Sequence, residues 1–595
     1  MPNNKRRSQK KAENESRQSM KGLRISGGLV AAGFLIAVTA QYFAPDFDHQ
    51  NANLISLAAI ALPTLFLLIT IYRAEWGGGH RLRLPALILV VLVGLGICYR
   101  FEGFSGTMVP QFSYRFGNSS DFELETLETT EQADPEGMPT DDLHLAFESP
   151  QFLGPNRNGV YGERVFDIPS DPQEVKTVWS HGIGQGWSSF AVSGEYAVTL
   201  EQRDEKECLT CYRLADGDLV WMVQNDGSHY NALGGTGPRS TPTIVDGRVY
   251  ASTPTGKLLC VDFGNGDVIW KQDLFAMAGW DQVAFEIAAP WGYAPSPLIV
   301  NDQCVVPLGG PIDGEKSASL IALDVATGEV VWKAGEDQLS YASPMLMTFD
   351  GVQQIVSVNE KTVTGHSLAG GEVLWEFDWP GSTNTGATCA AAVYVERDRV
   401  LVGKGYGGGS ALVQIKHDDG GWSTEDVWRS NRVLKTKFNH TCVQDQTGFG
   451  INNGSLQAVD LEKPKADWTQ PRGSRCGEGQ CVLVGDVLVV QDEQGDVVFV
   501  SANKDQYMEL LRLDALDSKT WNIPTVAGRF VLVRNDRQAI CFEMPAINMI
   551  PQEVLDQSFE FLNENADSKT EEPLNGVSNT TEPIDTDVAE EAARE

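Results

Sequence analysis

Seven residues combine reactive or ligand-binding side chains with a shared local setting: Arg239, Trp291, Tyr293, Tyr341, His440, Glu478 and Trp521. Each stands shortly before a short strand-like run, within GTGPRSTP, APWGYAPSP, SYASP, KFNHT, CGEGQ and KTWNIP. A guanidinium, an imidazole, a carboxylate and four aromatic rings brought together would bind a small ligand or a peptide. The same groups would equally serve to fill a central void and satisfy backbone polar groups. No Ser/His/Asp set, HExxH or paired carboxylates occur at a spacing that would support hydrolytic chemistry. Cys208 and Cys211 form a CxxC inside the strand-like CLTCYRL, followed by Tyr212 rather than the His of a haem attachment site. With no second CxxC, no structural zinc site and no metal is expected. Cys476 and Cys481 are free to pair if the compartment is oxidising. GYGGGS at Gly405–Ser410 lacks the Lys-Ser/Thr and the helix of a phosphate loop and reads as a strand-linking turn.

The elements that would gather these residues are repeats. SPLIVNDQCVVPLGG…SASLIALDVATGEVVWK, ending at Trp332, reads as strand, turn, strand, loop, strand, Thr-Gly turn, strand. Similar modules end at Trp221, Trp270 and Trp375, with Gly217, Gly266, Gly328 and Gly371 each four residues ahead of the tryptophan. Glycine there permits the positive φ of a tight turn. Weaker copies end at Trp428 and Trp468, a seventh has leucines near that slot, and an eighth stops after three strands. A tryptophan-ending strand without a module, around Trp179, precedes the first copy. A closed ring hides its edges if this early strand completes the last blade. The split module favours closure over an open solenoid. The predicted fold is therefore all-β: an eight-bladed β-propeller of four-stranded antiparallel blades spanning 149–546. Trp179, Trp221, Trp270, Trp332, Trp375, Trp428 and Trp468 are expected to dock blade on blade.

Ahead of the repeats lie three apolar runs, about 25–44, 54–72 and 84–99, without internal charge. They predict an N-terminal bundle of three transmembrane helices within 25–101. The basic tail 1–24, a first loop without Lys or Arg, and Arg73, Arg81 and Arg83 in the second loop place the tail in the cytoplasm. The propeller then lies on the periplasmic side of the inner membrane. Residues 102–148 read as a polar linker and 547–595 as an acidic disordered tail. A net charge of −34, with basic residues clustered only at the N-terminus, excludes nucleic acid as the main partner.

The motif Ala-Leu-Asp-x-x-Thr-Gly-x-x-x-Trp at Ala322–Trp332 resembles the tryptophan-docking repeat of pyrroloquinoline-quinone (PQQ)-type propellers. PQFLGPNRNGVYG at Pro150–Gly162 is similar to the lead-in of membrane-anchored PQQ-like repeat proteins. That family includes quinoprotein alcohol dehydrogenases and a non-catalytic scaffold of β-barrel assembly. The dehydrogenases would imply an adjacent Cys-Cys disulfide, calcium held by Glu, Asn and Asp, and a catalytic Asp. This chain has no adjacent cysteines, no motif that matches those ligands and no CxxCH. The expectation is a membrane-tethered scaffold that binds a protein or ligand, without a cofactor; the alternative is a PQQ-dependent periplasmic oxidoreductase using calcium.

Overall fold

The computed structural model describes residues 2–44, 48–73, 83–116, 124, 145–311, 318–381 and 387–547. The acidic tail beyond Ile547 and most of the polar linker lie outside these residues.

Short β-branched strands joined by Asp- and Gly-containing turns form eight four-stranded antiparallel blades, one of which gains a short extra strand. In blade 3, Leu298–Val300, Gln303–Gly309, Ala318–Asp324 and Val330–Ala334 pair in order from the inside outward. The last turn explains its sequence. The Asp324 carboxylate accepts from the backbone N–H groups of Ala326 (3.0 Å) and Thr327 (2.8 Å), fixing the turn.

A register shift separates the third and fourth strands of every blade at the same place, beside the docking position. In blade 3, Ala322 faces Trp332 and Leu323 faces Val330, so one residue bulges and the outer strand twists more strongly. Blade 8 consists of Thr525–Ala527, Phe530–Arg534, Gln538–Glu543 and, from the other end of the domain, Lys176–Gly182. There Cys541 faces Trp179 and Phe542 faces Thr177, the same bulge. The early strand thus occupies a genuine fourth-strand position and closes the ring. Short Val160–Tyr161 adds a parallel strand to the inner edge of blade 7.

Each motif glycine has a second reason besides its turn. A methyl group on Gly217 would come 2.8 Å from the Trp179 ring, and one on Gly328 2.7 Å from the Trp270 ring. The tryptophan of one blade lies flat on the turn of the next, which leaves no room for a Cβ. Its indole N–H often reaches the same neighbour: Trp179 donates to Leu214 O, Trp270 to Val325 O and Trp468 to Asn503 O, each at 2.8–2.9 Å. Trp332 and Trp375 instead bond Gln303 and Gln354 of their own blades. Gly328→Val combines a strained φ of +71° with this overlap. It is expected to destabilise the domain by about 3 kcal/mol in chemical denaturation.

The N-terminal region departs from expectation. Helix α1 runs continuously over Pro2–Phe43, so the basic tail begins the first helix instead of preceding it. Helix α2 (His49–Arg73) packs against α1, and at Gly33 the backbones approach so closely that a Cβ would strike the Ala59 carbonyl. Two stretches are long and apolar enough to cross a membrane, Met20–Phe43 and His49–Arg73. The third run forms helix α3 (Arg83–Cys98), whose 16 residues span about 24 Å, short of the ~30 Å hydrocarbon core. The expectation of three helical spans is therefore corrected to two candidate spans and a shorter apolar helix. The cause is local: at Tyr99 the chain leaves the helix for a hairpin of Tyr99–Phe104 and Pro110–Tyr114, held by the pairs Tyr99–Tyr114 and Phe101–Phe112. Part of the segment read as linker is thus ordered structure.

Candidate functional site

Inner strands begin at one mouth of the central channel, and the residues ahead of them converge there. They enclose a chamber of about 190 Å³. Arg239, Trp291, Tyr341, His440 and Trp521 all line it, although they come from five different inter-blade loops.

Arg239 is tied down by backbone. Its Nη1 donates to Gly237 O (3.0 Å) and its Nη2 to Gly234 O (2.7 Å). Burial lowers its pKa to about 10, still charged at neutral pH. The Trp291 and Tyr341 rings meet edge to face at 5.6 Å. Trp521 donates its indole N–H to Glu493 Oε1 (2.8 Å) and carries the Lys519 ammonium 4.1 Å above its ring. His440 meets Phe152 edge to face at 5.1 Å, and burial lowers its pKa to about 4.

Two of the seven lie elsewhere. Tyr293 sits behind the wall, 1% exposed, with its hydroxyl donating to Pro307 O (2.6 Å). Gly292 between it and Trp291 has φ +77°, so the chain turns and the two rings do not share a face. Glu478 is fully buried beside the mouth, 3.0 Å from the Lys437 ammonium, and does not line the chamber. Burial raises its pKa against the pull of Lys437.

Other lining residues escaped the sequence reading. Trp187, 4.9 Å from Trp521, precedes the first inner strand, so the rule that found Arg239 would have found it had it been applied to blade 1. Tyr406 projects from GYGGGS, which is a turn between the strands Arg399–Lys404 and Gly409–Asp418. Cys389 also lines the chamber as a lone thiol; Cys208, Cys211, Cys476 and Cys481 are unpaired and buried.

The chain itself covers both ends. On one side the lead-in inserts Phe152, under which Arg157 is 3% exposed and donates to the carbonyls of Ser296 (2.7 Å), Pro297 (3.0 Å) and Pro344 (2.9 Å). On the other side the tip of the aromatic hairpin enters the mouth. Gly106 N–H donates to Glu493, Lys437 donates to Gly106 O (2.9 Å), and Lys519 donates to Phe104 O (3.0 Å). The α1–α2 connection joins this cover: His49 N–H donates to Asn453 Oδ1 (2.8 Å) and Gln50 lines the chamber.

The family profile described as outer membrane protein assembly factor BamB matches residues 171–335, 205–470 and 359–542. The chain belongs to this family. The BamB of Yersinia pestis is 23% identical over 329 residues, covering 53% of this chain and 70% of that one. The dehydrogenase subunit of the quinone-type alcohol dehydrogenase of Gluconacetobacter polyoxogenes is 23% identical over 304 residues, covering 47% of this chain and 34% of that one. The chain thus spans about a third of the length of that dehydrogenase subunit. The crystal structure of BamB from Moraxella catarrhalis superposes with a TM-score of 0.43 at 14% identity, over 62% of this chain and 100% of that one.

His440 gives this family member a pH-dependent stability. Its folded pKa of about 4 lies below the ordinary 6.5, so folding favours the neutral ring. The contribution is present above pH 6.5 and is lost as the pH falls through 4. Thermal denaturation between pH 7 and pH 4 should reveal a loss on the order of 3 kcal/mol, smaller in His440→Asn.

Proposed function

We propose that the protein is a non-enzymatic scaffold, held by its N-terminal helices at the periplasmic face of the inner membrane, whose propeller surface binds a protein partner. The observation that carries this reading is that the chain covers both ends of its own channel. The lead-in and the hairpin tip narrow access to the chamber, whereas the outer strands present apolar side chains to solvent. Outer strands of blades 2, 3 and 4 expose Val268, Ile269, Val330, Val331 and Val373. Exposed strand edges with apolar side chains suit strand addition by a partner. Family membership agrees with this, since the Yersinia pestis relative is named as an assembly factor.

The path of the chain supports the orientation. The α1–α2 connection and the hairpin after α3 both touch the propeller. Arg73, at the other end of α2, then lies on the opposite, cytoplasmic side.

The test is photo-crosslinking in intact cells from Val331 and Val373. A discrete protein adduct from these sites, missing from a probe in the chamber at Tyr341, is the expected result. Labelling of lipid alone would refute a protein partner.

The second reading, a PQQ enzyme, rests on the dehydrogenase relatives. Calcium needs six to eight oxygen ligands. Two carboxylates stand beside the chamber's aromatic wall, and both are engaged, Glu478 by Lys437 and Glu493 by Trp521 and Gly106; among the described residues no three His, Cys, Asp or Glu side chains gather as a metal would require. The donor set does not fit a calcium-bound quinone. Saturable quinone absorbance with alcohol-dependent dye reduction, after adding PQQ and calcium, would reverse that conclusion.

A further inference from the structure

The mouth that receives the hairpin carries apolar side chains that no described residue covers. The hairpin exposes Phe112 (61%) and Tyr114 (54%) directly after α3. Beside it lies the loop 226–238 of blade 1: a methyl on Gly103 would come 3.9 Å from Ala232 O. This loop exposes Tyr230 (72%) and Leu233 (42%). Asn231 of the same loop donates to Pro290 O (3.1 Å), which ties it to the insertion between blades 2 and 3.

That insertion contains two short helices, α4 (Leu274–Ala278) and α5 (Gln282–Ala288). Helix α5 turns Phe285 inward, where its ring meets Phe275 at 4.0 Å. One turn apart on its outer side, Val283 and Ile287 are 65% and 68% exposed. The insertion leads from an outer strand to an inner strand, so it lies at the same mouth as the hairpin.

We infer that this rim is a lipid-contacting surface: the aromatic hairpin, the Tyr230–Leu233 loop tip and the outer side of α5 enter the headgroup region of the bilayer that α1 and α2 span. The inference rests on the membrane-tethered reading above. Three separate segments present large apolar side chains around the point where the membrane helices join the propeller. Aromatic residues favour that depth, where rings sit in the apolar boundary and polar ends stay hydrated. The contact is apolar: α5 contributes Glu286 and no Lys or Arg, so zwitterionic lipid suffices. The propeller is thereby held mouth-down on the membrane, with its blade edges facing sideways.

The test uses the full chain in phosphatidylcholine nanodiscs, with an environment-sensitive NBD label at Val283→Cys, at Tyr230→Cys, at Ile60→Cys within α2 and at Val331→Cys on an outer blade edge. The signal of the labelled parent chain is subtracted. Labels at 283, 230 and 60 are expected to be at least threefold brighter than the label at 331 and to be quenched by doxyl lipid. A label at 60 quenched by doxyl lipid, with those at 283 and 230 as dim as that at 331, overturns the lipid-contacting rim and leaves the membrane spans standing. A label at 60 that doxyl lipid does not reach overturns the spans and the rim together.

Discussion

Trp179→Ala is expected to cost about 3–5 kcal/mol in urea denaturation and to weaken closure of the whole ring. The ring is 7% exposed, stacks on His181 at 4.7 Å, covers Gly217 of blade 1 and donates to Leu214 O. Removing it opens a cavity at the seam where the two ends of the domain meet. The same seam contains buried Arg534 of blade 8, which donates to Thr199 Oγ1 (3.0 Å), Leu200 O (3.1 Å) and Gly184 O (2.7 Å). Beside it, Glu201 accepts from Gly184 N (2.7 Å) and pairs with Arg203 (2.9 Å). The Trp179 ring reaches this network through His181, which packs on Tyr212, whose hydroxyl donates to Glu201. Trp270→Ala removes the same ring from a seam between blades that are continuous in sequence. It should cost a similar free energy but leave the ends of the domain protected in hydrogen exchange, whereas Trp179→Ala should expose them.

The second large effect concerns the lead-in. Arg157→Met should destabilise the propeller by about 3 kcal/mol or more, because three buried carbonyls lose their shared donor. Arg157→Lys should recover only part of this, since one ammonium cannot reproduce the planar fork. Leu153 and Arg157 both hold positive φ, at 59° and 58°, so the segment carries backbone strain that these contacts help to offset. A denaturation midpoint that does not move on Arg157→Met would remove the lead-in from the structural core.

Sequence made the ring legible because its signals are local. Asp324, Gly328 and Trp332 fall within one turn and one strand, and the missing fourth strand of the last module pointed to Trp179. The chamber was legible in part for the same reason: residues ahead of an inner strand converge, which located Arg239, Tyr341, His440 and Trp521. Tyr293 failed because the positive φ of Gly292 turns the chain between two neighbouring aromatics. The covers of the channel were invisible for a different reason. Gly106 and Glu493 are hundreds of residues apart, and FEGFSGTMVPQF, with Glu102 as its one charge, carries no period that would mark it as a hairpin entering a channel. The third apolar run was over-read because composition fixes where a run ends but not where its helix stops.

The claim on which the functional conclusion depends is that the hairpin tip covers the chamber in the intact protein. Cys389 reports on it, as a chamber thiol whose pKa burial raises to about 12. Maleimide labelling followed by peptide mass spectrometry compares the native chain with Gly106→Leu, whose first added carbon would come 2.5 Å from Glu478 Cγ and push the tip out. Cys389 should stay unlabelled in the native chain and react in the variant. Labelling of Cys389 in the native chain, at the rate of a thiol open to water, would show an open channel and contradict the scaffold reading.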